Sequence, residues 1–178
     1  MKKSLISTFI AAACLTASSI AVAANNEAVE NITVTTQVTG VSGVTITLND
    51  NPQTVTTEDV KRPGVTLTTL DINATGLDLS SAAGGNIAVE VDNSHFDATS
   101  GAWLFKNPDQ PSSTPLKARP HSSAGSGWNH SPEKRISYRL QNGDHNVSLR
   151  LPIETNTGNT NVTAGGYEMP LTVSFNTW

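Results

Sequence analysis

Side chains with chemistry to offer are few in this sequence and stand far apart. The four histidines, His95, His121, His130 and His145, show no His-x-His or His-x-x-x-His spacing, so a zinc site would need a chance meeting in the fold. The one cysteine, Cys14, follows Ala11-Ala-Ala in an apolar N-terminal stretch and lacks the leucine that a lipoprotein cleavage site carries three places earlier. Ser123-Ala-Gly-Ser-Gly127 does not have the Gly-x-Ser-x-Gly order of a nucleophile elbow, and no glycine-rich loop leads into a helix. Glu90, Asp92 and Asp97 are close enough in sequence for calcium or acid chemistry, but strand-edge carboxylates facing water account for them more simply. The expectation is a non-enzyme with no catalytic residue, no metal site and no cofactor.

The elements that would position any site are strands. From Gly165 to Trp178 the apolar residues Tyr167, Met169, Leu171, Val173 and Phe175 fall at every second position, as in a strand with one face on a core. The sequence stops at Trp178, so one edge of that strand is expected to lack a partner in the chain. Bare N–H and C=O groups beside an apolar face recruit any extended segment that offers itself. Such a segment stands at the other end, where Ile32, Val34, Thr36 and Val38 share a face behind the polar run Asn25 to Glu30.

Between these ends, alternation predicts strands at Val44–Leu48, ending at the turn-rich Asn49-Asp-Asn-Pro52, and at Val65–Ile72, with a bulge near Thr68-Thr69 where the apolar phase slips by one. Further strands are expected at Ile87–Val91, Ala102–Lys106, Ile136–Leu140 and Val147–Ile153. No useful length of helical periodicity occurs after the first two dozen residues. Thr, Ser, Asn, Val and Gly are plentiful and charged residues make up only 15%, which together give an all-β sandwich.

Met1-Lys-Lys-Ser, the apolar run from Leu5 and the small residues Ala21-Val-Ala23 have the three parts of a secretory signal peptide. Cleavage after Ala23 or Ala24 leaves about 155 residues, the size of one domain, with no cysteine. Loss of Lys2 and Lys3 takes the formal charge from −4 to −6, which disfavours nucleic acid as a partner.

One island stands out. Residues 107–135 hold prolines at 108, 111, 115, 120 and 132 and a local excess of basic residues. A loop of this length in a compact domain is uncommon. It has two readings: a receptor-contact loop in which Trp128, Asn129 and His130 meet a sugar or a protein, or a proline-stiffened connection with a short strand near Thr114–Lys117 and Trp128 tucked onto the sandwich.

The leader, the free alternating strand behind it and the Ala-Gly-Gly-Tyr strand beginning at Gly165 together resemble fimbrial subunits (pilins) of the chaperone-usher pathway. Glu30-Asn-Ile-Thr-Val-Thr-Thr-Gln-Val38 is similar to the donor strand of colonisation-factor type fimbriae. The resemblance implies an incomplete immunoglobulin-like β-sandwich, the pilin fold, completed by donor-strand exchange. Residues 1–23 are then the signal peptide, 24–40 the donor-strand extension and 41–178 the pilin domain. Ile32, Val34, Thr36 and Val38 would be the donor strand, and Gly165, Tyr167, Met169, Leu171, Val173 and Phe175 the strand lining the groove that a chaperone meets. The implied partners are neighbouring pilin subunits, a periplasmic chaperone, an outer-membrane usher and a host glycan or protein receptor. The implied place is a cell-surface fimbrium, reached through the periplasm, that supports adhesion. Periodicity alone also admits an ordinary first strand paired within its own subunit, as in a free secreted or periplasmic glycan-binding β-sandwich.

Overall fold

Alternating apolar residues build strands almost everywhere in the computed structural model, which describes residues 28–34, 36–39, 43–80, 82–121, 127–129 and 134–178. The expected signal peptide, with Cys14, lies outside these residues. The strands are β1 (Ala28–Thr33), β2 (Thr36–Thr39), β3 (Thr45–Pro52), β4 (Val55–Thr56), β5 (Thr66–Thr75), β6 (Gly85–Val91) and β7 (Phe96–Asp97). They continue as β8 (Ala102–Phe105), β9 (Leu116–Pro120), β10 (Trp128–Asn129), β11 (Arg135–Arg139), β12 (Asn146–Thr155), β13 (Gly165–Glu168) and β14 (Leu171–Thr177). Short 3-10 turns occur at Asp59–Lys61 and Asn93–His95. No helix among the described residues is long and apolar enough to cross a membrane.

One sheet has the order β3-β5-β12-β9-β8-β7, a second β10-β11-β6-β14-β2, and a small third β13-β1-β4. The two large sheets are the layers of an all-β sandwich, and their inward residues form one core. Leu67, Leu70, Ile72, Leu151, Ile153, Trp103 and Phe105 come from the first layer, and Ile87, Val89, Val91, Leu171, Val173 and Phe175 from the second. The phase slip predicted near Thr68-Thr69 is real and lies one residue earlier. Across β5 and β12, Ile153 faces Thr68 while Glu154 faces Thr66, so Leu67 is the extra residue. Its carbonyl is taken by the Gln53 N–H at 2.8 Å.

Two sequence expectations are corrected, and a choice between two readings is resolved. Asn49-Asp-Asn-Pro52 is not a turn, because β3 runs through it with Pro52 opposite Thr68. As the outer strand of its sheet β3 has a free side, where proline's missing N–H is tolerated. The proline island follows the second of its two readings, since the short strand expected near Thr114–Lys117 is β9, with Leu116 and Ala118 buried, which pairs with β8 and β12. The single strand expected from Gly165 is two, broken at Met169-Pro170, so that β13 and β14 belong to different sheets.

Where β9 has no strand beside it, a side chain substitutes. Buried Asn159 accepts from the Lys117 N–H at 2.8 Å and donates to the Lys117 carbonyl at 2.9 Å, the two bonds a neighbouring strand would make. Its amide also reaches the Asn156 carbonyl at 3.1 Å. Asn159→Ala leaves a buried backbone N–H without its partner and should lower stability by about 1–3 kcal/mol, read as a reduced urea midpoint with an unchanged slope.

Candidate functional site

The segment read from sequence as a free N-terminal strand lies against β13 and β14 of its own chain. Thr33 faces Glu168 in a parallel ladder with β13, and Thr36 faces Leu171 in a parallel ladder with β14, a constant offset of 135 residues in both. Register slips only ahead of Ile32, where Glu30 faces Gly166. Both partners break at the same level, β1 from β2 at Val34-Thr35 and β13 from β14 at Met169-Pro170. Pro170 has no N–H for the ladder, so the pairing is interrupted there and resumes at Leu171.

Packing follows the alternation. Ile32 is fully buried beside Tyr167, itself fully buried, and Val34 is 8% exposed. The Tyr167 hydroxyl donates to the Thr163 carbonyl at 3.0 Å, satisfying its one polar atom in the core. At about 1.5–3 kcal/mol for each buried aliphatic side chain, Ile32 and Val34 contribute on the order of 3–6 kcal/mol before ordering costs.

Two residues that sequence reading missed hold the crossing. The Asp50 carboxylate accepts from the Val34 N–H at 2.9 Å and from the Thr68 hydroxyl, tying the break between β1 and β2 to β3 and β5. The signal was there: Ile46, Leu48 and Asp50 share one parity, which put a carboxylate on the inward face of β3. Asn107, 3% exposed, accepts from the Asp109 and Gln110 N–H groups at 3.0 and 3.1 Å. Its amide also abuts Gly165, where φ is +138° and a Cβ would come within 2.6 Å of Nδ2. Gly165 is therefore required on two counts, backbone conformation and space.

Of the residues expected to line a groove, Tyr167, Met169, Leu171, Val173 and Phe175 are all buried. The bare edge expected beside them is absent. β14 pairs antiparallel with β6 on one side and parallel with β2 on the other, while β13 lies between β1 and Lys106, which exchanges two 2.8 Å backbone bonds with Glu168. Val38 stands beside Val173 in this register. The side chains of Thr36 and Val38 lie outside the described residues.

Trp128 is 8% exposed and packs its ring against Tyr138, centroids 5.6 Å apart at 69°, so of the two readings of its segment the packed one is seen. Asn129 is exposed in β10, and His130 lies outside the described residues. The other histidines are separate. His95 bonds Asp92 at 2.9 Å, His121 contacts Glu154 at 2.9 Å, and His145 meets the Leu77 carbonyl at 3.1 Å. Among the described residues no three His, Cys, Asp or Glu side chains gather into a metal-binding group. Glu90, Asp92 and Asp97 also go separate ways. Glu90 pairs with Lys134 at 2.8 Å, and the bond from His95 holds Asp92 down at about 2. Bonds from Ser100 and Lys117 hold Asp97 far below the usual carboxylate range.

No family model matches the chain, and no curated protein sequence matches it. Among solved structures the chain is similar to the Salmonella SafD adhesin, with 17% sequence identity over 73% of this chain and 82% of that one and a TM-score of 0.43. A superposition that loose decides nothing about function.

If β1 is an integral part of the folded chain in solution, Ile32→Ala should lower stability by about 2–5 kcal/mol, the range for truncating a fully buried isoleucine. Thermal unfolding of the leader-free protein reads this directly, and an unchanged midpoint would mean that the segment is not seated in the core.

Proposed function

We propose that the chain is a structural, non-catalytic subunit of a cell-surface fimbria, exported through the periplasm, that polymerises by lending its N-terminal strand to a neighbour. One observation carries the reading. The strand that completes the apolar core beside β13 and β14 is a terminal segment, joined to the body only through residues 40–44, with Ile32 and Val34 as its buried teeth. A segment so placed can leave its own core and enter an identical one by giving up its ladders with β13 and β14 and the short pairing with β4, where Ala28 faces Thr56 and Val29 faces Val55. In this reading Ile32, Val34, Thr36 and Val38 form the donor strand, and the β13–β14 face from Gly165 to Phe175 forms the acceptor groove. A periplasmic chaperone would cover that groove before an outer-membrane usher passes the subunit on. The parallel insertion within one chain is then the closed form of the subunit, and exchange between chains the productive one.

A second reading has an observation of its own. With β2 on β14, the chain leaves that edge covered without any partner, as a free secreted glycan-binding sandwich would.

A reversible lock separates the two. Thr33 and Glu168 are register partners with exposed side chains, and the leader-free chain has no cysteine of its own. Oxidised Thr33→Cys/Glu168→Cys protein should remain monomeric on gel filtration and give no surface fibres, while reduction restores the polymer formed by the wild type. Fibres from the fully oxidised variant would overturn the lending of the strand, and a wild type that stays monomeric at every concentration and builds no fibre on cells would favour the free sandwich.

A further inference from the structure

Across one end of the five-stranded sheet, a cleft of about 630 Å³ opens between β10, β11, the start of β6 and the residue that follows β14. Trp178 forms one wall, and Asn86, Asn129, Ser137, Arg139 and Gln141 supply the polar lining. The volume is in the range of small-molecule sites, about 300–1,000 Å³. A smaller recess of about 200 Å³ shares Arg139 and Gln141 and extends the cleft toward Leu79 and Asn142.

Trp178 is the exposed large hydrophobic residue among those described, with 57% of its surface open. Its position is nevertheless fixed. The backbone N–H donates to the Gly84 carbonyl at 3.2 Å, and its carbonyl accepts from the Ala83 and Gly84 N–H groups at 2.7 and 3.3 Å. A Cβ on Gly84 would lie 2.7, 2.8 and 3.0 Å from Cζ2, Cε2 and Nε1, near-equal distances to three adjacent ring atoms. Gly84 therefore packs against the indole, and only because it has no side chain. An aromatic held against the backbone with more than half of its surface open to water offers a stacking platform.

Around it stand groups that both donate and accept. Three amide side chains and a hydroxyl match alcohols in either direction, and the Arg139 guanidinium offers a fork of donors. Arg139 has no carboxylate partner among the described residues. A nucleotide or inorganic anion would want more than one cation, and an apolar ligand would want fewer amides. Ring hydroxyls on a flat C–H face fit both halves of the cleft.

We propose that this cleft binds a saccharide, with a pyranose ring stacked on Trp178 and its hydroxyls held by Arg139, Gln141 and Asn86. The assignment is independent of strand exchange, because the cleft is lined from β6, β10, β11 and the residue after β14, with no residue of β2. Neutral and carboxylated sugars share the recognised chemistry, so the probes include both.

The test is titration of the secreted, leader-free protein with lactose, mannotriose, sialyllactose and glucuronic acid, followed by tryptophan fluorescence and calorimetry. Trp103 is fully buried and Trp128 also borders the cleft, so the part of the change that is lost in Trp178→Ala reports on Trp178. At least one sugar should saturate below about 10 mM, and Trp178→Ala, which retains the backbone bonds to Ala83 and Gly84, should weaken it about tenfold or more. Gln141→Ala, at an exposed position, should weaken it with an unchanged melting temperature. Arg139→Gln should weaken every bound sugar, and a carboxylated one most. No saturable binding by any of the four, or Trp178→Ala and Gln141→Ala variants that are folded and bind as the wild type does, overturns the proposal.

Discussion

An apolar strand with a neighbour on only one side is the constraint on which this molecule turns. β14 carries Leu171, Val173 and Phe175 into the core, and β6 satisfies one row of its backbone groups. The other row needs an extended segment, because buried N–H and C=O groups left without partners cost more than most contacts return. The chain supplies β2 there and continues the same register through β1 onto β13. The Asp50 carboxylate takes the Val34 N–H where the ladder is interrupted. Without that segment the core would lose Ile32 and Val34 and the strand would lose half its bonds together.

Much of the architecture was legible because a strand's period is two and most strands here have one wet face. β6, β8, β11, β12 and β14 all follow from alternation. What misled was residue type at sheet margins. Asn49 to Pro52 reads as a turn, yet Asn, Asp and Pro are tolerated on an outer strand with one unpaired side, and β3 is such a strand. β9 is expected among the prolines but two residues early, because only Leu116 and Ala118 face inward, too few for a period to fix its bounds. Asn159 gives no sign of its role, since an asparagine that imitates a strand looks like any turn asparagine until Lys117 is placed beside it.

The candidate site was half legible. Alternation picked out the teeth, Ile32 and Val34, and the face they meet, Tyr167 to Phe175. It could not choose whose groove the teeth fill, because periodicity records which face is apolar and says nothing of the chain that covers it. The Trp178 cleft was invisible in sequence for a related reason. Its parts come from β6, β10, β11 and the end of β14, scattered along the chain, and the feature that fixes the indole is the absence of a side chain at Gly84.

The direction of the inserted strand is set by its tether. β2 ends at Thr39 and β3 begins at Thr45, while Val34 and Asp50, five residues outward on either side, are in contact, so the two strands turn back like a hairpin. Reversing the segment in the same groove would carry Thr39 from beside Ser174 to the level of Tyr167, about 24 Å away at ~3.4 Å per residue. Six steps of fully extended chain span at most about 21 Å, so an antiparallel insertion is out of reach within one chain. A strand arriving from another copy has no such tether. It can enter antiparallel to β14, the arrangement with the straighter and slightly stronger bonds, carrying the same apolar teeth. Against it stands the high effective concentration of the tethered strand. In the proposed exchange, closed and exchanged forms would therefore differ by strand direction and by tethering, two terms of opposite sign, while the burial of Ile32 and Val34 would be common to both.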